Sequence, residues 1–150
     1  MIGQEQTSDR TPNLEEKAYV ELAHTTDRLS RAAAALLKTE ELSPTQYNVL
    51  RVLRGAPEGL PCGEIGRRLI TREPDITRLL DRMEKRNLIS RCRETKDRRT
   101  VWTRITATGL ETLSRLDAPV LEVHRKQLGH LGREHLLTLI ELLREARQDL

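Results

Sequence analysis

The residues best placed to do chemistry lie in one stretch, Glu73 to Arg86, which reads E-P-D-I-T-R-L-L-D-R-M-E-K-R. Ile76, Leu79, Leu80 and Met83 recur at i, i+3, i+4 and i+7, a spacing that predicts a short helix with one narrow apolar stripe. Opposite the stripe fall Pro74, Arg78, Asp81 and Lys85, with Thr77 and Arg82 on the flanks. Arg78 carries paired planar donors that match guanine O6 and N7, so it suits a base or a phosphate; a surface ion pair with Asp75 or Asp81 is the alternative. Arg82 and Lys85 suit phosphates, contacts that position a protein on DNA without specifying sequence. Asp81 would repel DNA if unpaired, so an intramolecular partner such as Arg99 is expected. Glu73 reads as the N-cap, Pro74 as the first helical residue and Asn87 as a left-handed stop.

The next segment gives that helix a companion. Leu88 to Arg93 and Thr100 to Ile105 are short β-prone runs flanking E-T-K-D-R-R, Glu94 to Arg99, which predicts a hairpin with a charged tip. Lys96, Arg98 and Arg99 crowd the tip, where a two-stranded ribbon can deliver an arginine into a narrow, negative groove; Asp97 is expected to fix its shape. Arg91 and Arg93 share one strand face and suit phosphates or solvent. Trp102 reads as a packing residue, because no other aromatic interleaves the basic ones. Cys62 to Leu69 reads as a preceding short helix and Ile70 to Arg72 as a turn. Helix, turn, helix and basic hairpin is the order of a winged helix-turn-helix.

The whole chain agrees with that assignment. Of its 150 residues 33% are charged, and the formal net charge of +3 hides an asymmetry. Between Arg67 and Arg104 there are 13 Lys or Arg against 6 Asp or Glu, while the remainder has 13 against 17. Clustered cations of this kind are the footprint of a phosphate-contacting surface, although a solvated charged face is the bland alternative. No nucleophile with a base and no phosphate-cradling glycine loop is present, so an enzyme is not expected. No stretch reads as a signal peptide or membrane span, and a cytoplasmic location is expected. Cys62 and Cys92 make neither a disulfide framework nor a zinc spacing; each is a small filler or a redox-sensing thiol. His24, His124, His130 and His135 show no metal-ligand pattern, and neither metal nor cofactor is expected.

The flanks must position this unit. Residues 1–12 read as a polar tail. Asn13 to about Lys38 reads as a long helix, Ser43 and Pro44 as the cap and first residue of another, and Gly55 to Pro61 as a loop. Thr106 to Gly109 reads as a cap, followed by an apolar pattern in which Pro119 implies either a kink or a new helix capped by Asp117. Arg133 to Leu150 reads as the last helix. The terminal helices carry apolar stripes longer than the central unit needs, so a homodimer built from both chain ends is expected, with two recognition helices about one DNA turn, ~34 Å, apart.

From Leu42 to about Leu113 the sequence resembles the MarR family of bacterial transcriptional regulators. L-S-P-T-Q-Y-N-V-L at Leu42 to Leu50, I-T-R-L-L-D-R-M-E-K-R-N-L-I at Ile76 to Ile89, D-R-R at Asp97 to Arg99 and I-T-A-T-G at Ile105 to Gly109 carry the likeness. The resemblance implies a mainly α fold with a small β-hairpin wing, a single domain over 13–150 with dimerisation helices at 13–42 and 107–150 around a DNA-binding region at 43–106. It also implies an inverted-repeat operator, usually released when a small ligand or an oxidant binds. Thr77 and Arg78 look like the groove-facing pair, Asp81 like the acid that pairs with a wing arginine, here Arg99, and Asp97, Arg98 and Arg99 like the wing tip. Pro74 stands where relatives more often carry Ser or Thr, and Asn87 where Gly is usual. Family placement alone nominates His24, Arg28 and Tyr47 for an effector cleft. A repressor is the leading expectation; a winged-helix protein-protein adaptor and a thiol-based redox-sensing regulator are the alternatives.

Overall fold

The computed structural model describes residues 13–94, 96–148 and 150; the expected polar tail at 1–12 lies outside them. The chain divides into two units, Met1–Arg31 and Ala32–Leu150, and helix α1, Leu14–Leu37, runs through the boundary. In the first unit Asn13 Oδ1 accepts the Glu16 N–H, and Glu15 and Glu16 occupy the first turn, where carboxylates oppose the helix dipole favourably. Leu14, Tyr19, Val20 and Leu22 stand exposed there.

In the second unit a 3-10 turn, Lys38–Glu40, ends at Glu41 in the left-handed region, φ 55°. Helix α2, Pro44–Arg54, begins as expected with Ser43 as cap and Pro44 in the first turn. Gln46 adds a reciprocal bond: its side chain accepts the Ser43 N–H while Ser43 Oγ accepts its own, at 3.0 and 3.1 Å.

Leu60–Pro61 forms a short strand, β1, where the sequence reads as loop. It pairs antiparallel with β3, Leu60 opposite Thr103 and Pro61 opposite Trp102. The hairpin is β2, Ile89–Arg93, and β3, Val101–Ile105, so the sheet is three-stranded in the order β1-β3-β2. Helix α3, Cys62–Arg68, and helix α4, Ile76–Lys85, form the helix-turn-helix. The start of α4 corrects the expectation: Asp75, not Glu73, is the cap, its carboxylate accepting the Arg78 N–H at 3.2 Å. Pro74 therefore lies in the turn before the helix, and Glu73 Oε1 accepts the Asp75 N–H. Asp wins because its short side chain reaches an N–H three residues on. Asn87 follows α4 at φ 58°, the left-handed stop expected of it.

Helix α5, Ala107–Leu128, is capped by Thr106, whose Oγ1 accepts the Gly109 N–H. It continues through Pro119, and Asp117, rather than capping a new helix, binds Arg54 of α2. Gly109 must be glycine: a Cβ there would lie 2.3 Å from the Leu88 carbonyl oxygen. That close approach brings the end of the wing against α5. After a 3-10 turn, Gly129–Leu131, helix α6 spans Gly132–Glu145, shorter than the expected run to Leu150. The core is aliphatic: Leu50 and Leu53 of α2, Ile65 of α3, Leu80 and Met83 of α4, Ile89 of β2 and Leu113 of α5 are fully buried.

Candidate nucleic-acid interface

The apolar stripe of α4 is used as its spacing demands. Leu79, Leu80 and Met83 are buried and Ile76 is half-buried against the core, so Thr77, Arg78, Arg82 and Lys85 are turned to solvent. Pro74 is exposed in the turn ahead of them.

Asp81 sits on the boundary of the exposed face, and its partner is Arg91 rather than Arg99. Arg91 Nη2 donates to Asp81 Oδ1 and, at 3.0 Å, to Glu84 Oε1; Glu84 Oε2 accepts the Arg91 backbone N–H, also at 3.0 Å. The Arg91 side chain is only 21% exposed. It is thus held inside the protein and is not free for the phosphate contact its strand position suggested. The strand register explains the choice. Ile89 and Arg91 lie on one face of β2; Ile89 is buried, and Arg91, one pleat further on, meets the carboxylates of α4. The hydrogen bond from Arg91 is the main cause that lowers the Glu84 pKa below its ordinary value, against the opposing effect of burial. The bonds to Glu84 and then Asp81 raise that of Arg91. Glu84 is the one member of this cluster that sequence reading missed, although its i+3 spacing from Asp81 was available.

At the wing tip Lys96, Arg98 and Arg99 are exposed. Asp97 fixes the turn by accepting the Arg99 N–H at 3.0 Å, and Arg93 buttresses it by donating to the Arg98 carbonyl at 2.6 Å. Trp102 is half-buried in β3. Cys62 is half-buried at the start of α3 and packs on the core; Cys92 is exposed on β2, with Arg104 Nη1 3.4 Å from its sulfur.

The cations of the Arg67 to Arg104 stretch separate into two groups. Arg67 and Arg68 both bind Glu64, and Arg91 binds Asp81 and Glu84. Arg86 donates to the carbonyls of Glu40 and Glu41, Arg93 to that of Arg98 and Arg104 to that of Glu58. The side chains of Arg72, Arg78, Arg82, Lys85, Lys96, Arg98 and Arg99 are exposed and have no hydrogen-bond or ion-pair partner among the described residues. They lie on the turn before α4, on α4 itself and on the wing tip. Arg72 is the member not singled out from sequence, because a lone arginine in a turn has no periodicity to mark it.

Behind this surface the second unit holds a cavity of about 460 Å³, lined by Ala33 and Leu37 of α1, Pro44, Tyr47, Asn48, Arg51 and Val52 of α2, Ile70 of the turn, and Val120 and His124 of α5. Arg51 stands over the Tyr47 ring, 5.8 Å from its centroid. Arg54 and Asp117 clamp α2 to α5 with a paired contact at 2.8 and 3.0 Å. Of the residues nominated for an effector cleft, Tyr47 lines this cavity. His24 and Arg28 belong to the first unit, where His24 borders a surface depression with Tyr19, Val20, Ala23 and Asp27.

The family model described as the MarR family matches residues 42–101, which reach from the end of the 3-10 corner into β3. The crystal structure of a MarR transcription factor from Planctomyces limnophilus is 40% identical, over 90% of this chain and 98% of that one, with a TM-score of 0.69. The chain belongs to the MarR family. MarR proteins are DNA-binding transcription regulators rather than enzymes, and the exposed cations lie on the elements by which a winged helix meets DNA. The transcriptional repressor CouR, solved bound to a 23-mer DNA duplex, is 28% identical over 90% of this chain and 95% of its own, with a TM-score of 0.80. The MarR fold is shared as well with the regulator PcaV of Streptomyces coelicolor, solved with its natural ligand, 28% identical over 83% of this chain and 89% of that one at a TM-score of 0.71.

Proposed function

We propose that this MarR protein is a repressor that binds an inverted-repeat operator as a homodimer and lets go when a small molecule occupies the cavity between α1, α2 and α5. The observation that carries the DNA half is the set of exposed cations Arg72, Arg78, Arg82, Lys85, Lys96, Arg98 and Arg99, without a partner among the described residues while the neighbouring arginines are tied to carboxylates or backbone carbonyls. In this reading Arg78, with Thr77 beside it, reads bases, Pro74, Arg82 and Lys85 lie against the backbone, and Arg98 or Arg99 enters the minor groove from the wing. Arg93 supports the wing tip, and Asp81 and Glu84 are neutralised by Arg91.

Apolar surface supports the dimer. Among the described residues no position of α6 is fully buried, and Leu137, Ile140 and Leu142 are 43–57% exposed, as are Leu110 and Leu121 of α5 at 41% and 49%. A second copy is the occupant that a closed two-fold would supply. The cavity supports the effector: its walls are largely aliphatic, with the Tyr47 ring, Arg51 and His124 as polar edges, a lining suited to a small apolar body with one acidic group. CouR named as a repressor and PcaV solved with a natural ligand point the same way.

The test is selection of bound genomic fragments followed by titration of the selected duplex at several salt concentrations, with mass measured by light scattering. The expected result is a dimer on an inverted repeat, with a log–log salt slope no steeper than about −6 per subunit, the limit for seven neutralised phosphates. A monomer, or affinity that does not change with salt, refutes the reading.

A further inference from the structure

The turn between α3 and α4, residues 69–75, sets where the recognition helix begins, and it is held to the rest of the unit at an unusual point. The Ile70 backbone N–H donates to Asn48 Oδ1 of α2 at 2.7 Å, across 22 residues of sequence. Among the described residues no other hydrogen bond runs from this turn to α2. Leu69 packs against the core at the start of the turn, but Ile70 itself is 89% exposed, so at that residue the hydrogen bond is the tie. A backbone N–H can only donate, so Asn48 must present its carbonyl oxygen to Ile70, and its amide NH2 is left without a partner among the described residues.

The same two residues stand in the cavity wall. Pro44, Asn48 and Ile70 line the 460 Å³ cavity and also a smaller one of about 120 Å³, completed by Thr45 and Thr71. The hydrogen bond therefore belongs to the wall that the two cavities share. Asn48 is half-buried, so its amide is accessible to an occupant while its oxygen carries the turn.

We propose that Asn48 is a positioning residue for DNA recognition and the point at which occupancy of the cavity is transmitted: it holds the turn that feeds α4, and an occupant that engages its amide lets the turn go. The first half stands on the hydrogen bond alone; the second rests on the effector reading above. The physical route is short. An occupant bearing a hydrogen-bond donor competes with the Ile70 N–H for Oδ1, whereas one bearing an acceptor engages the free NH2 and releases the turn only by drawing the side chain out of line with that N–H. Losing the bond unfastens the segment that carries Arg72 and Pro74 and sets the capped start of α4 at Asp75.

Hydrogen exchange at the Ile70 amide and affinity for the selected duplex test this together, in the full chain. Asn48→Ala should speed Ile70 exchange and weaken DNA binding by about five- to tenfold, the worth of one such bond, with an unchanged far-ultraviolet spectrum. Asn48→Asp keeps an acceptor in place and should restore Ile70 protection and bring affinity to within about twofold of the parent. Parental affinity in Asn48→Ala, or failure of Asn48→Asp to rescue, overturns the positioning role. Ala33→Gln carries an amide, both donor and acceptor, into the cavity permanently and should speed Ile70 exchange as Asn48→Ala does; unchanged protection there overturns the transmission step. Benzoate, an apolar ring with an acidic group, tests the effector reading separately. If benzoate leaves the parent's DNA binding unchanged while Ala33→Gln loosens Ile70, that ligand class is wrong and the latch stands.

Discussion

Replacing Arg91 by Met separates two roles that a wing arginine could have. Arg91, Asp81 and Glu84 form a cluster of net charge −1 at the edge of the DNA-facing helix; Arg91→Met keeps most of the apolar stem and leaves two uncompensated carboxylates. The carboxylates are 47% and 40% exposed, so the pairs are solvent-screened and the stability cost should be small, ~1 kcal/mol. The effect on DNA binding should be larger. With the nearest phosphate taken at ~8 Å and water's dielectric constant, the one unit of negative charge added to the cluster is repelled by ~0.5 kcal/mol per phosphate, and a few phosphates lie within a Debye length. The sum is ~1–2 kcal/mol, or about five- to thirtyfold in Kd.

The decisive protein is the triple variant Arg91→Met, Asp81→Asn, Glu84→Gln, whose cluster is neutral. If Arg91 serves to neutralise its neighbours, fluorescence anisotropy should return the triple variant to the parental Kd or tighter, with the parental salt slope. If Arg91 itself met a phosphate, the triple variant would stay weak and its slope would be shallower by about one. That second pattern would refute the internal role assigned to Arg91.

Other consequences are more direct. Arg78→Ala should cost ~1–3 kcal/mol of operator affinity and relax specificity at one base position, measured against a panel of single-base variants of the duplex. Gly109→Ala forces a Cβ to within 2.3 Å of the Leu88 oxygen and should lower the melting temperature sharply, by ~2 kcal/mol or more of stability, with the wing displaced. Ser43→Ala removes one half of the capping box of α2 and should cost ~1 kcal/mol in urea denaturation. Hydrogen bonds from Arg115, Arg91 and Arg54 are the main causes that hold the carboxyls of Glu40, Glu84 and Asp117 below their ordinary values of 4.5, 4.5 and 3.8. Groups with a depressed folded pKa add stability above the unfolded value and lose it as pH falls through the folded one. The melting temperature should therefore hold from neutrality to about pH 5 and drop below about 4.5, and Asp117→Asn should flatten part of that drop.

The recognition helix was legible because burial imposes a period. Ile76, Leu79, Leu80 and Met83 have one way to reach the core together, and that choice alone turns Arg78, Arg82 and Lys85 outward. The wing was legible because its two strands are long enough to show β-prone runs on either side of a charged turn. β1 was not, since two residues cannot display alternation and Pro61 argues against a strand; it forms because β3 has a free edge beside it. The helix start moved from Glu73 to Asp75 because two acids flank Pro74 and only geometry decides which carboxylate reaches an N–H. The partner of Asp81 is hidden for a related reason: Arg91 and Arg99 are both wing arginines, and the register that sets Arg91 one pleat beyond buried Ile89 is a property of pairing, not of composition.

The net charge between Arg67 and Arg104 hides how its cations are used, and their division bears on function. The surplus between Arg67 and Arg104 treats every cation as equal, yet Glu64 holds two arginines, Asp81 and Glu84 hold a third, and three more donate to carbonyl oxygens as structural ties. A protein selected only for bulk attraction to polyanions would have little reason to divide its arginines this way. A protein that must place a few cations in fixed register on a groove does, because each outward group needs a neighbour that fixes the backbone beneath it. Arg93 under the Arg98 carbonyl and Arg91 between α4 and β2 are such neighbours. The sequence cannot distinguish the two kinds of arginine, since their difference lies in contacts between elements; neither can it locate the Asn48 bond, whose two ends are a side chain on one helix and a backbone N–H in a turn 22 residues away. The corollary is that substituting an internally tied arginine should alter where the free ones sit, and so change specificity along with affinity, whereas substituting Arg82 or Lys85 should weaken all sequences alike.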